Sequence, residues 1–269
     1  MITNRYLLFG TLWAALLTGC GPSAPTGDLV FVDGRAVAVA GDSLLAITRS
    51  GENGIVLRDR ETGAVYTRGE ETLVSPHHVQ EHEGRWYVSD VEDGSWHITV
   101  FSPQWEVERR VHVDSIATAP HQFAVLPDGR IVIEAPEGRL LALKGDSVTT
   151  FALTEVSSRT GLLLGALGGV LHTVPGQSIT LYNEAGNIRW RLQWPFQDGV
   201  AYVTDLAVDA QRRMHVLAGQ EGSNLFYAYT LERDTGQVIR WSVPGPTATF
   251  VVGRLGQIEP DSASRWIPE

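Results

Sequence analysis

The feature that most constrains this chain of 269 residues is an internal repeat of about 43 residues. Turn residues recur at nearly regular spacing, and a short apolar segment follows each of them. These turn residues are Gly41, Gly84, Gly129, Gly169, Arg212 and Gly253. A second landmark, the turn Glu61-Thr62-Gly63, returns as Asp234-Thr235-Gly236 after about four periods. Because two independent landmarks share one period, the chain is predicted to consist of repeated units.

The repeated unit reads as a small antiparallel sheet. The segments after the turns are 43–48, 86–89, 131–134, 171–174, 214–218 and 255–258, and they are short and apolar without helical periodicity. In the second unit, four strands are predicted over 78–80, 86–89, 97–101 and 106–113. A period of about 40–45 residues with four strands is typical of propeller blades. The fold class is therefore predicted to be all-β, a six-bladed β-propeller with four-stranded antiparallel blades.

The two ends of the repeat region complement each other. The sixth unit offers only three candidate strands, at 249–252, 255–258 and 264–267. An extra strand, Leu29–Val32, precedes the first unit's own strands. Pairing this N-terminal strand into the last blade would close the ring and remove an open sheet edge. We therefore expect the last blade to be closed by residues 29–32.

The segment before the repeats is predicted to be a secretion signal. Asn4 and Arg5 precede an apolar run over residues 6–17, which is too short to cross a bilayer. Leu17-Thr18-Gly19-Cys20 resembles the bacterial lipobox. The resemblance implies cleavage before Cys20 and attachment of acyl chains, palmitate among them, at this residue. The predicted domains are a signal peptide at 1–19, the lipidated cysteine and a tether at 20–28, and the propeller at 29–269.

This resemblance also implies a location and a first partner. The chain would be a lipoprotein of the cell envelope, held to the membrane by its lipid anchor. Because Gly21 rather than Asp follows Cys20, the outer membrane is expected in a cell that has one, with the protein facing the periplasm or the surface. Charge argues against other partners, since 21 Lys and Arg face 31 Asp and Glu. Nucleic acid and anionic lipid are therefore not expected as the main partner.

The second unit carries a family resemblance. Its segments Ser75-Pro76-His77-His78-Val79, Gly84-Arg85-Trp86-Tyr87-Val88-Ser89-Asp90 and Ile98-Thr99-Val100-Phe101 resemble the NHL-type repeat. The third unit keeps Pro120 and Asp128-Gly129-Arg130 but has Ala135 where the second has Asp90. The resemblance implies a propeller. Propellers of this shape serve as hydrolases, lyases and binding platforms, so it does not select an activity.

Two histidines are the candidate metal ligands. His77 and His121 follow Pro76 and Pro120 in successive units, so both are expected at one mouth of the central channel. Four more residues are predicted near that mouth: His78, Gln122, Arg159 and Asp205. Imidazoles with a carboxylate suit Zn²⁺ or another divalent metal, although NHL-type lyases use three channel histidines and only two match here. In the simpler interpretation, each histidine bonds the backbone of a neighbouring blade.

Three further motifs have a functional and a structural interpretation. Gly41-Asp42-Ser43-Leu44 matches the GDSL esterase block, but the sequence has no late Asp-x-x-His to activate the serine, so a turn is favoured. Asp90, Glu92 and Asp93 could bind Ca²⁺ or form an exposed acidic turn. Trp96 and Trp105 are candidates for contact with a sugar or peptide.

These observations favour a binding or scaffolding module for a protein, peptide or glycan. The alternative is a metal-dependent hydrolase or lyase with its site at the channel mouth. No complete catalytic set is recognisable in the sequence, which is why binding is placed first.

Overall fold

A computed structural model describes residues 29–32, 36–40, 44–49, 51–59, 61–117, 122–157, 161–194, 200–208, 212–220, 226–232, 237–242, 249–252 and 267–268. Its elements are β-strands. They are β1 Leu29–Val32, β2 Ala36–Ala40, β3 Leu44–Thr48, β4 Ile55–Asp59, β5 Val65–Arg68, β6 Pro76–His82, β7 Arg85–Glu92, β8 Ser95–Phe101, β9 Val107–His112, β10 Ala124–Val125, β11 Ile131–Ala135, β12 Arg139–Lys144, β13 Ser147–Leu153, β14 Leu163–Ala166, β15 Gly169–Val174, β16 Ser178–Asn183, β17 Ile188–Gln193, β18 Val200–Val208, β19 Met214–Gln220, β20 Phe226–Glu232, β21 Gln237–Ser242, β22 Thr249–Val252 and β23 Ile267–Pro268.

The described strands form successive antiparallel sheets in chain order. The first sheet is β2-β3-β4-β5, the second β6-β7-β8-β9, the third β10-β11-β12-β13 and the fourth β14-β15-β16-β17. The fifth has the order β18-β19-β20-β21-β23, and β1 pairs with β22. Within each of the first four sheets, neighbouring strands are consecutive along the chain, as short hairpin turns require.

The sheets are arranged around a common axis. The first strands contact one another in a closed cycle, β2 to β6, β10, β14, β18 and β22, and from β22 back to β2. Separate hydrophobic cores lie between the first and second, second and third, third and fourth, and fourth and fifth sheets. Radial sheets packed face to face around a ring define a β-propeller. The prediction of an all-β propeller with four-stranded antiparallel blades is confirmed.

The second sheet shows why the sequence folds in this way. Trp86 and Val88 pack into the core shared with the first sheet, whereas Tyr87 between them packs into the core shared with the third. A strand buried on both faces therefore needs the continuous apolar run that the sequence shows. The preceding turn uses Gly84 at φ 80°, a conformation that favours glycine. The four predicted strands of this unit are confirmed; the first three extend slightly further than predicted, and the fourth is one residue shorter at each end.

The two ends of the chain pair differently from one another. β1 pairs antiparallel with β22 in the register Leu29↔Val252 and Val32↔Thr249, as expected for the N-terminal strand. The strand predicted at 264–267 was assigned to the same blade, but the structure instead pairs Ile267–Pro268 with β21 of the fifth sheet. The candidate strand at 255–258 lies outside the described residues.

The propeller has two faces, an upper and a lower one. The upper face is the one at which the first strand of each sheet begins, and in the second sheet it carries Pro76, Glu92, Ser95 and His112. The lower face lies at the other ends of the same strands. In the part of the chain that the structure describes, no helix is long and apolar enough to cross a membrane.

Candidate binding site on the upper face

A row of four paired residues, polar on three of its four strands, crosses the whole second sheet just below its upper face. Pro76 pairs with Asp90, Asp90 with His97, and His97 with His112, so each strand contributes one residue. Because paired residues share a face of the sheet, the row lies on one side. That side also carries Val88 and Phe101, which pack in the core toward the first sheet. The row therefore lines the upper end of the boundary between the first two sheets.

Asp90 anchors the loop that enters the second sheet. Its carboxylate is fully buried and accepts hydrogen bonds from the backbone N–H of Ser75 at 2.6 Å and of Val74 at 3.1 Å. Burial raises the pKa of Asp90, and the two N–H donors and Arg110 oppose that shift. The carboxylate thus closes the loop that enters its own sheet.

The acidic residues of the following turn divide between two roles. Arg110 Nη2 lies 2.8 Å from Glu92 and 3.7 Å from Asp90. Asp93 is exposed, at φ 50° in the hairpin turn. The expectation of a wholly exposed acidic turn is wrong for Asp90, because this side chain is engaged with backbone donors. With Glu92 bound to Arg110, the calcium hypothesis gains no support.

His97 and Thr99 leave polar atoms buried without partners. His97 is 4% exposed and Thr99 is fully buried, and neither His97 Nδ1 nor Thr99 Oγ1 has a hydrogen-bond partner among the described residues. The His97 ring lies edge-on to His112, with centroids 4.2 Å apart. Burial, with the positive charge of Arg110 and the His112 imidazole, lowers the pKa of His97. Unpartnered buried polar atoms are costly, so they mark a place where a polar ligand would be stabilised.

The pair formed by His97 and His112 was not predicted from the sequence. His97 and His112 are 15 positions apart, on strands whose register could not be read from the residues. An alternating pattern of polar residues on β8 and β9, combined with the correct register, would have been the only signal.

His77 lies beside Trp96, which packs on the opposite face of the second sheet, toward the third sheet. The two rings are edge-on, with centroids 4.6 Å apart, and the backbone oxygen of His77 accepts a hydrogen bond from the Thr48 hydroxyl at 3.0 Å. Trp96, predicted as a contact residue, is half-buried. The other candidate, Trp105, stacks on Trp86 at 5.1 Å and belongs to packing.

Gln80 ties the second sheet to the third, as does His82, whose Nε2 lies 3.0 Å from the Pro127 carbonyl oxygen. Its amide donates to the Phe123 carbonyl at 2.7 Å, and its oxygen accepts from the Val125 N–H at 3.0 Å. His78 Nε2 lies 3.0 Å from Gln80 Nε2, and its ring is edge-on to Phe123. Gln80 therefore links the two sheets directly, and the interpretation in which His77 and His121 bond the backbone of a neighbouring blade stays a prediction.

The remaining predicted site residues are only partly visible. Gln122 is half-buried just before β10. Asp205 is half-buried at a register shift of β18 and accepts the Leu206 N–H at 2.8 Å. His121, Arg159 and Cys20 lie outside the described residues, as do Gly41, Asp42 and Ser43. Within the described ranges, no three His, Cys, Asp or Glu side chains gather as a metal site would need. The metal site at His77 and His121 thus remains a prediction.

A second polar bridge joins the third and fourth sheets. Glu134 on β11 accepts the Gly161 N–H at 3.2 Å and lies 3.5 Å from His172 Nε2. His172 Nδ1 lies 3.2 Å from the Thr154 hydroxyl. Gly161 must be small here, because a Cβ would lie 1.9 Å from the Thr173 carbonyl and 2.8 Å from His172 Nε2. The bridge fixes the fourth sheet against the third.

Comparison with known proteins shows the fold and no family. No family model and no curated protein matches the chain. A protein of unknown function from Bacteroides caccae is 13% identical, with a TM-score of 0.60 over 86% of this chain and 89% of its own. A structure of the nidogen/laminin complex is 12% identical, with a TM-score of 0.60 over 83% and 85%. A streptogramin B lyase structure is 14% identical, with a TM-score of 0.55 over 82% and 74%. These similar structures are β-propeller proteins and include both a binding complex and an enzyme.

Proposed function

We propose that the chain is a lipid-anchored, six-bladed propeller of the bacterial envelope that works as a binding module. A closed cycle of first strands from β2 to β22 supports six blades, and the pairing of β1 with β22 supports closure by the N-terminal strand. The lipobox-like Leu17-Thr18-Gly19-Cys20 supports the anchor. The ligand would be a protein, peptide or glycan segment with polar groups.

One observation carries the choice of binding over catalysis. Three of the ionisable groups described at the upper face of the second sheet already have structural work. Asp90 closes its own loop, Glu92 is held by Arg110, and His77 packs against Trp96. Beside exposed His112, this face also holds two buried hydrogen-bonding atoms without a partner among the described residues, His97 Nδ1 and Thr99 Oγ1. Unpartnered hydrogen-bonding atoms next to an exposed imidazole on a rigid frame suit recognition.

The anchor is tested by following the full chain in a bacterium with an outer membrane. We expect the wild-type protein in the membrane fraction, carrying labelled palmitate, and Cys20→Ala in neither state, because the sulfur is the attachment point. Ser23→Ala in the predicted tether is the matched control and should behave as wild type. Wild-type protein that carries no lipid would overturn the anchor.

The choice between binding and metal chemistry is tested by elemental analysis. A binding module should purify without a stoichiometric divalent metal. One bound Zn²⁺ per chain that disappears in the His77→Ala, His121→Ala double variant would instead establish the metal-dependent hydrolase or lyase. A His82→Ala variant is the control, since His82 lies at the lower end of β6.

A further inference from the structure

The chain enters the propeller from the lower face. β22 occupies a first-strand position and runs from the upper to the lower face. β1 is antiparallel to it, with Leu29 opposite Val252 at the lower end and Val32 opposite Thr249 at the upper end. Because residues 20–28 precede Leu29, the predicted tether joins the propeller at the lower face.

The same face carries a recurrent exposed aliphatic side chain. Each of the first four sheets has one at the start of its outermost strand, directly after the turn that joins its third and fourth strands. These side chains are Val65, Val107, Val148 and Ile188, which are 61%, 48%, 47% and 50% exposed. Their recurrence in one structural position places them at one level around the lower rim.

A flat partner fits this arrangement better than a globular one. A single exposed aliphatic residue is ordinary, but a series at one level around a rim can be contacted together only by an extended plane. A bilayer surface is such a plane.

The charges beside these residues restrict the kind of lipid. Exposed carboxylates lie close to the aliphatic residues, namely Glu61, Glu106, Asp146 and Glu184, and exposed cations lie at the same level, namely Arg85, Lys144 and Arg189. Opposite charges attract, so a rim that carries both signs matches headgroups that carry both signs. The lower rim therefore fits zwitterionic headgroups.

The length of the tether is consistent with this orientation. Nine residues at about 3 Å each reach roughly 27 Å. The strands of the second sheet have six to eight residues, so the two faces are about 20–26 Å apart at 3.3 Å per residue. To bring the upper face to the bilayer, the tether would have to cross the lower face to the rim and then climb that full height, which exceeds its reach.

We propose that the lower face rests on the surface of a zwitterionic bilayer through Val65, Val107, Val148 and Ile188, with the upper face turned away. The proposal rests on the lipid anchor at Cys20. It assigns the membrane to one face and leaves exposed His112, with the buried His97 beside it, on the face turned away from the bilayer.

The orientation is tested with spin labels on the lipidated full chain in phosphatidylcholine vesicles. Cys20 is the sole cysteine and its sulfur would carry lipid, so a cysteine introduced elsewhere is the one free thiol. Val107→Cys places a nitroxide at the lower rim. Leu153→Cys, at a side chain 70% exposed at the upper end of β13, is the matched control. The measured quantity is the collision rate of each label with a water-soluble nickel chelate.

We expect vesicle binding to lower the nickel collision rate several-fold at residue 107 and to leave residue 153 unchanged. Equal rates at the two labels, or protection at residue 153, would overturn the orientation while leaving the anchor intact. A chain that carries no lipid and does not float with the vesicles would overturn the anchor and, with it, this proposal.

Discussion

The second and third sheets place a carboxylate at nearly the same point of their second strands, yet the two carboxylates do different work. Asp90 binds the N–H groups that lead into its own sheet, whereas Glu134 binds the N–H of Gly161, which leads into the next sheet. Counted from Gly84 and Gly129, Glu134 comes one residue earlier than Asp90. Successive strand residues point to opposite faces, so one position decides whether a carboxylate faces the preceding or the following sheet. A register difference of one residue therefore changes which two sheets a carboxylate links.

The largest expected effect comes from removing the carboxylate that closes the second sheet. Asp90→Ala removes the buried carboxylate that accepts from the Val74 and Ser75 N–H groups, and we expect a loss of about 3 kcal/mol in the free energy of unfolding. Asp90→Asn keeps one acceptor oxygen and should lose less. Denaturant unfolding measures both, with the exposed Asp93→Asn as control. If Asp90→Ala were no more harmful than Asp93→Asn, the closing role would be wrong.

A smaller loss is expected from the carboxylate that links the third and fourth sheets. Glu134→Ala removes the acceptor of the Gly161 N–H and the partner of His172, which should cost about 2 kcal/mol. Amide hydrogen exchange at Gly161 should accelerate, because its hydrogen bond is lost. Glu134→Gln retains an acceptor oxygen and serves as the control. Unchanged exchange at Gly161 in Glu134→Ala would contradict the link.

The free energy of unfolding is expected to depend on pH through His97 in the second sheet. The lowered pKa of His97 means that the unfolded chain binds a proton more readily than the folded chain. Stability from this group is present above about pH 6.5 and is lost as the pH falls from there toward the lowered pKa. Burial is the main cause of the lowered pKa of His97. The side chains around the ring modify that shift, and they are Arg110, His112, Asp114, Glu92 and Asp90.

The measurement is the difference in unfolding free energy between wild type and His97→Gln, followed from pH 7.5 down to about pH 5. Wild type should lose more stability than the variant over this range. The raised pKa of Asp90 has the opposite sign, but Asp90 is present in both proteins, so the difference between them reports on His97. Parallel curves for the two proteins would show that His97 does not titrate differently on folding.

The smallest effect is expected at an ion pair on the lower rim. Arg85 Nε lies 2.7 Å from Glu108, closer than Arg110 lies to Asp90, but both Arg85 and Glu108 are exposed. Water already solvates both charges, so Arg85→Ala should leave the midpoint of denaturant unfolding unchanged. A shift as large as that of Asp90→Ala would mean that exposed and buried charges are equivalent here.

The sequence was a good guide to the strands and a poor one to the site. The turn period and Gly84 located the sheets because turns have local residue requirements. The strand at Leu29–Val32 could be assigned because an open edge demands a partner. His97, Thr99 and His112 were missed, and the links between blades made by Gln80 and Glu134 were not predicted, because side-chain partners depend on register and on packing between blades. Those quantities are set by the whole ring and have no local signature.

The pairing of Leu29 with Val252 also sets a timetable. The two residues are roughly 220 positions apart, so at about 5–20 residues per second the first strand waits some 11–45 seconds for its partner during synthesis. Until then its backbone groups are unpaired, and the cost of closing so long a loop falls on the last step. For the exported chain that we propose, that delay would be useful, because a ring that has not closed can still be threaded through a membrane.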